Sequence, residues 1–289
     1  MGRKEEFSIN QLRDYSSLFS RSEAKLWING DFNSIDKKIN RYDCNWINYK
    51  NATYADYLKY LYKVLVDNYP NEYIYKNSFL NDWLINELGK KTSKVFNEFR
   101  VGKSVADLVM FNGHSKVFEI KSELDSDNRL ELQLENYRQA FNQIFVIIPE
   151  SKIFNYEKYD KSIGIISYNK LRSQKFQLYR NAEVNFNIEA KTIMAILHTE
   201  EYKSIVQDYF GELPKMTSFN QFVICKELIC KIPTKDLNTL FIKQMKKRVF
   251  NPNISKRNYK EFNQINLSLK LNKKQKEKMI LNLKSSLNK

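Results

Sequence analysis

Residues 98–121, EFRVGKSVADLVMFNGHSKVFEIK, hold two apolar runs with the spacing of β-strands and a turn signal between them. Side chains alternate along a strand, so Glu119 and Lys121 share one face of the second run while Phe118 and Ile120 share the other. An apolar strand has no packing reason to set an acid and a base side by side on one face. If the neighbouring strand supplies Asp107, two carboxylates and one ammonium converge, and a divalent cation fits between them. Such a set suits hydrolysis of a phosphodiester. The plainer reading of the same residues is a cross-strand ion pair among exposed side chains.

The surrounding pattern predicts three short strands at 95–101, 106–111 and 116–122, with Asn112-Gly113 turning the second into the third. A helix follows at 128–142, with Leu130, Leu134, Tyr137 and Phe141 as its buried stripe and Asp125 or Asp127 as N-cap. Residues 144–148 form a continuous apolar run ended by Pro149, as expected of a central strand buried on both faces. Further strands are expected at 163–168 and, at an edge, 176–179. This order implies an α/β core with a mixed central sheet flanked by helices.

The first 75 residues read as helical and aromatic. In YADYLKYLYKVLV (54–66), Tyr57, Leu61, Val64 and Leu65 fall on one face, widened by Leu58, and Pro70 ends the pattern. A second helix is expected at 78–88, with Phe79, Trp83, Leu84 and Leu88 on one side and Gly89 as C-cap. Past about residue 185 the pattern returns to helix at 190–197, 219–229, 237–250 and 272–283, the last with a thin apolar side of Met279, Ile280 and Leu283. The chain therefore divides by pattern into a helical N-terminal region (1–75), an α/β core (76–182) and a basic, mainly helical C-terminal region (183–289).

Composition narrows the function classes. Hydrophobic residues at 42% and aromatics at 14%, with only 7 Gly and 5 Pro among 289 residues, are those of a globular chain. No apolar run approaches the 18 or so residues of a membrane span, and the N-terminus lacks the apolar segment of a secretory signal, so the expectation is a cytoplasmic protein with no membrane partner. Cys44, Cys225 and Cys230 form no C-x-x-C pair, and His114 and His198 stand far apart, which argues against zinc. Gly-rich phosphate loops are absent as well, which disfavours a nucleotidyltransferase. The net charge is +15, and residues 241–289 carry 14 Lys and Arg against 2 Glu, a surplus of 12. A basic tail of that kind fits a phosphate backbone, the plainer reading being a solvated surface.

Asp107 on one strand, Glu119-Ile120-Lys121 on the next and Gln133-x-x-x-Tyr137 on the following helix resemble the PD-(D/E)XK nuclease superfamily. The run from Glu98 through Ser122, Asp125, Arg129 and Gln133 to Tyr137 is similar to an uncharacterised bacterial and prophage-borne group within it, over roughly residues 78–182. The resemblance implies a restriction-endonuclease-like core and a Mg²⁺-dependent endodeoxyribonuclease, Mn²⁺ substituting, with DNA as the favoured nucleic acid, while the grip through the basic C-terminal region is expected from its charge. It also implies a place in phage defence or mobile-element biology. Asp107 and Glu119 would hold the ion with the Ile120 carbonyl. The third acid usual in the superfamily is Glu98 or, on the preceding helix, Glu87. Tyr137 is either a buttress of the site or a core residue of its helix, and Arg129, Lys103 and His114 read as solvated loop or surface residues. The alternative function is a nucleic-acid-binding protein that keeps the fold without the chemistry.

Overall fold

The structure is a computed structural model, and it describes residues 6–84, 93–248, 255 and 257–287. Contacts group the chain into two units: Met1–Ile85, Lys170–Ser173 and Asn251–Lys289 in one, Asn86–Asn169 and Gln174–Phe250 in the other. The basic C-terminal third is thus shared, its first part joining the sheet and its last part the N-terminal helices. Among the described residues no helix is long and apolar enough to cross a membrane.

The first unit is helical. Helices α1 (Ile9–Ser17), α2 (Arg21–Asn29), α3 (Asn33–Tyr42), α4 (Tyr54–Asn68) and α5 (Glu72–Phe79) are followed by a π-helical turn at Leu80–Leu84. A capping box starts α4: the Thr53 hydroxyl accepts from the Asp56 amide and the Asp56 carboxylate accepts from the Thr53 amide. The stripe Tyr57, Leu58, Leu61, Val64 and Leu65 is buried as its spacing predicts. The next helix starts earlier than the 78 expected from sequence. Asn71, directly after the proline that stops α4, accepts from the Ile74 amide at 3.0 Å and so opens α5 at once. Leu88 and Gly89 lie outside the described residues. Two C-terminal helices, Asn263–Ser268 and Lys273–Leu283, bury Ile265, Met279 and Leu283 in the same core as Trp27 and Leu61.

The second unit carries the α/β fold. Its sheet has six strands in sequence order, β1 (Lys94–Val101), β2 (Ser104–Phe111), β3 (Ser115–Ile120), β4 (Gln143–Pro149), β5 (Gly164–Tyr168) and β6 (Phe176–Arg180). The β1-β2-β3 meander is antiparallel, β3-β4 and β4-β5 are parallel, and β6 returns antiparallel, so the sheet is mixed. Both hairpins turn on glycine in the left-handed region: Gly113 (φ 121°) after Asn112, and Gly102 (φ 56°), where a Cβ would also meet Asn136 Oδ1 at 2.9 Å. Helix α6 (Leu130–Arg138) makes the β3-to-β4 crossover and α7 (Ile153–Tyr156) lies in the next one. After β6 come α8 (Ala190–Ile196), α9 (Thr199–Phe210), α10 (Gln221–Ile229) and α11 (Thr234–Lys247).

The expected N-caps of α6 do not cap it. The helix begins at Leu130, preceded by Arg129, which makes no side-chain cap. Asp125 is used instead by Ser122, and the Asp127 side chain accepts from the Tyr156 hydroxyl. Leu130, Leu134, Tyr137 and Phe141 are buried against Val109, Phe111, Val117, Val146 and Ile148 of the sheet, and Ile193, Ile205, Phe241 and Met245 of the later helices complete that core. Asn142 fixes the start of β3 to the start of β4. Fully buried, it accepts from the Ser115 amide and hydroxyl, each at 3.0 Å, and donates to the Asn185 carbonyl at 2.9 Å.

Candidate active site

Alternation puts Asp107 on the face of β2 that bears Val109 and Phe111, and Glu119 on the face of β3 that bears Val117, so both look toward α6. The ladder between β2 and β3 stops at Leu108↔Phe118, one pair short of Asp107 and Glu119. In that gap Asp107 Oδ2 accepts from the Ile120 amide at 2.7 Å. Lys121, one residue on, donates its amide to the Ile147 carbonyl of β4 at 2.9 Å. Because the N–H and C=O of one strand residue point to the same side, the Ile120 carbonyl is turned toward Asp107 and away from β4.

Glu119 and Lys121 are 3% and 8% exposed, so the exposed ion pair weighed from sequence does not describe them. Glu119 Oε1 accepts from Gln133 Nε2 at 2.6 Å and lies 3.3 Å from Lys121 Nζ, which itself donates to Gln133 Oε1 at 3.1 Å. Glu119 Oε2 accepts from the Tyr137 hydroxyl at 2.8 Å. Gln133 and Tyr137 stand one turn apart on α6 and reach the two oxygens of one carboxylate. Tyr137 is therefore both a core residue and a partner of the acid. Burial, with the Asp107 charge next, pushes the Glu119 carboxyl up to about 7, against the opposing pull of Lys121 and the Tyr137 hydrogen bond. Burial and the Glu119 charge raise the Tyr137 phenol far above its ordinary range, so it stays a donor.

Glu98 behaves differently. The pairs Asn97↔Leu108 and Phe99↔Ala106 leave it across from Asp107, but its backbone is left-handed (φ 50°). Alternation breaks there, and Phe96 and Phe99, three residues apart, both contact the Phe111 ring, at 5.8 and 6.2 Å between centroids. Glu98 itself is exposed. Among the described residues no cluster of three or more Asp, Glu, His or Cys side chains is arranged to hold a metal. The acids brought together are Asp107 and Glu119, and Glu87 lies outside the described residues. Arg129, Lys103 and His114 are exposed.

One part of the site was missed from sequence. After Lys121 the chain is clasped by Asp125, whose Oδ2 accepts from both the amide and the hydroxyl of Ser122 at 2.7 Å. Lys152 closes the loop from the next crossover, donating to the carbonyls of Ser122 and Glu123 at 3.1 and 3.2 Å. The Ser-x-x-Asp spacing is a local signal for the first contact, whereas nothing near Lys152 in the chain announces the second. A cavity of about 430 Å³, lined by Arg138, Asn142, Ser162, Glu183 and Asn185 among others, opens at the starts of β4 and β5 and includes none of the cluster residues.

Two carboxylates and a backbone carbonyl on one edge are hard oxygen donors, the set Mg²⁺ accepts when water fills its remaining positions. They fit that ion. The fit requires Glu119 to be ionised, and hence a cation to outcompete a proton near neutral pH.

Comparison with known proteins gives three findings. Residues 66–284 match the family described as Bacteriophage P4 protein cII. Protein cII of Enterobacteria phage P4 is 26% identical over 142 residues, 48% of this chain and 50% of that protein, so the chain spans about half the length of the curated relative it matches. A solved structure of a Silicibacter pomeroyi protein of unknown function covers 53% of this chain and 99% of its own, at 14% identity and a TM-score of 0.33.

Proposed function

This chain belongs to the bacteriophage P4 protein cII family, and we propose that it is a metal-dependent nuclease of the PD-(D/E)XK type, cutting DNA from a restriction-endonuclease-like core. The observation that carries the reading is the buried pair Glu119 and Lys121, joined to half-buried Gln133 by contacts of 2.6–3.3 Å, with Asp107 on the Ile120 amide at 2.7 Å where the β2-β3 ladder ends. A buried acid raised to about 7 is an expensive feature to hold in a core, and such groups concentrate where chemistry is done.

In this reading Asp107, Glu119 and the Ile120 carbonyl hold Mg²⁺, with Mn²⁺ able to substitute. The ion supplies positive charge against the phosphate, which a phosphodiester needs before a nucleophile can approach. Lys121 orients the attacking water and stabilises the charge that develops as the P–O bond to the leaving oxygen breaks. Gln133 fixes Lys121 relative to Glu119, and Tyr137 holds the second Glu119 oxygen. Glu98, opposite Asp107, is the third acid of the proposal; from its exposed position it contributes through the solvent side. The exposed Lys and Arg of residues 241–289 grip the DNA backbone, giving salt-dependent binding with little sequence preference. The setting proposed is cytoplasmic, in phage defence or mobile-element biology.

The test incubates the purified protein with plasmid, linear and single-stranded DNA in Mg²⁺, Mn²⁺ and EDTA, beside Glu119→Ala and Lys121→Ala. Cutting in Mg²⁺ that EDTA and both variants abolish supports the reading; cutting that persists in the variants removes it. One observation favours a second reading, a nucleic-acid-binding protein without chemistry: both Glu119 oxygens already accept from side chains of the protein. That protein binds DNA equally well as Asp107→Ala and cuts none in any metal.

A further inference from the structure

Helix α10, QFVICKELI, is apolar on almost every side, yet only Cys225 and Ile229 of it are fully buried. A helix apolar all round belongs inside a core. This one turns Phe222 (46% exposed) and Val223 (55%) to solvent, and Phe219, just before it, is 96% exposed. Within α10, Phe222, Val223 and Lys226 fall on one face, continued by Cys230 at the C-cap. Tyr209 and Phe210 at the end of α9, and Leu213 after it, are partly exposed as well. At the 150–250 Å² of an aromatic side chain, this apolar surface amounts to roughly 500 Å². That is the upper end of what a monomer leaves uncovered. It also equals the apolar share of one side of a standard interface of about 800 Å² per partner.

We propose that this surface joins two copies of the chain, α10 against α10 about a two-fold axis. Its charges select the partner. On α10 itself Lys226 is balanced by Glu227. Lys226 and Glu227 are adjacent, so an axis passing beside them sets each lysine against the other copy's glutamate. That is the self-complementarity an isologous contact requires. The proposal is independent of the nuclease reading, since none of these residues belongs to the Asp107–Glu119 cluster.

The experiment is sedimentation equilibrium of the full chain, free of nucleic acid, from about 1 to 50 µM. The expected result is a species of twice the 34.5 kDa chain mass. Phe219→Glu, at a side chain almost wholly in solvent, weakens association by about 30-fold or more, the size of an interface hot spot, with an unchanged circular-dichroism spectrum. Lys226→Glu and Glu227→Lys each weaken it, and the double reversal restores it. A monomer throughout this range overturns the proposal, including one that binds vesicles or another protein through the same face. So does a dimer indifferent to Phe219→Glu, or a double reversal that fails to recover.

Discussion

The Glu119 proton couples the site to the stability of the whole domain. The folded carboxyl is raised from 4.5 to about 7, chiefly by burial and then by Asp107. Between those values the folded state holds a proton that the unfolded state has released, so unfolding free energy falls as pH rises through this window. At about 1.4 kcal/mol per tenfold in acidity, the loss comes to roughly 3 kcal/mol. That is a large share of the 5–15 kcal/mol typical of a domain. Glu119→Gln keeps the side-chain shape and the hydrogen bond from Tyr137 while removing the titration. Urea unfolding in EDTA, from pH 4.5 to 8, therefore gives a wild-type curve that falls relative to the variant by about 3 kcal/mol, nearly all of it below pH 7. Adding Mg²⁺ at pH 8 restores stability to wild type and not to Glu119→Gln, because a ligand of the folded state stabilises it by mass action. Parallel pH profiles for the two proteins would refute the argument that Glu119 is a buried, strained acid.

Four further outcomes follow from the geometry. Tyr137→Phe removes a hydrogen bond that lowers the Glu119 pKa, so by calorimetry the pH at which Mg²⁺ binding reaches half strength moves upward, and a downward shift contradicts the arrangement. Glu98→Gly releases a left-handed backbone worth about 1–3 kcal/mol against a glycine entropy cost of about 0.5–1 kcal/mol; denaturation should show a gain near 1 kcal/mol, and a loss would mean the side chain is holding the strand. Asn142→Ala leaves the Ser115 amide, buried at the start of β3, without its acceptor, with an expected loss of about 1–3 kcal/mol by the same assay. DNA affinity measured against salt falls with a slope of about −0.9 per phosphate contact, and a flat response removes the basic C-terminal segment from binding.

Much of this protein was legible in its local sequence because local physics sets it. Strand alternation put Glu119 and Lys121 on one face, Asn112-Gly113 turned the hairpin, and Pro149 closed a strand apolar on both sides. The α6 stripe was visible in the 3.6-residue period of Leu130, Leu134, Tyr137 and Phe141, all of which are buried. Helix α9 has no counterpart among the helices expected from sequence, and the early start of α5 rests on Asn71, a cap that stands directly after the proline ending the preceding pattern.

What the tertiary structure alone decided is which charged groups meet. Asp125 and Asp127 were equally good caps for α6 on spacing, but Ser122 and Tyr156, set by the loop and the next crossover, took them first. Glu98 is opposite Asp107 in register, yet a left-handed φ at that residue turns it outward, and no residue type announces such a φ at a glutamate. The burial that raises Glu119 comes from α6 and the sheet closing over it, an effect of volume filled by residues distant in the chain. Period and turn chemistry are properties of a few neighbouring residues; desolvation belongs to the packed whole.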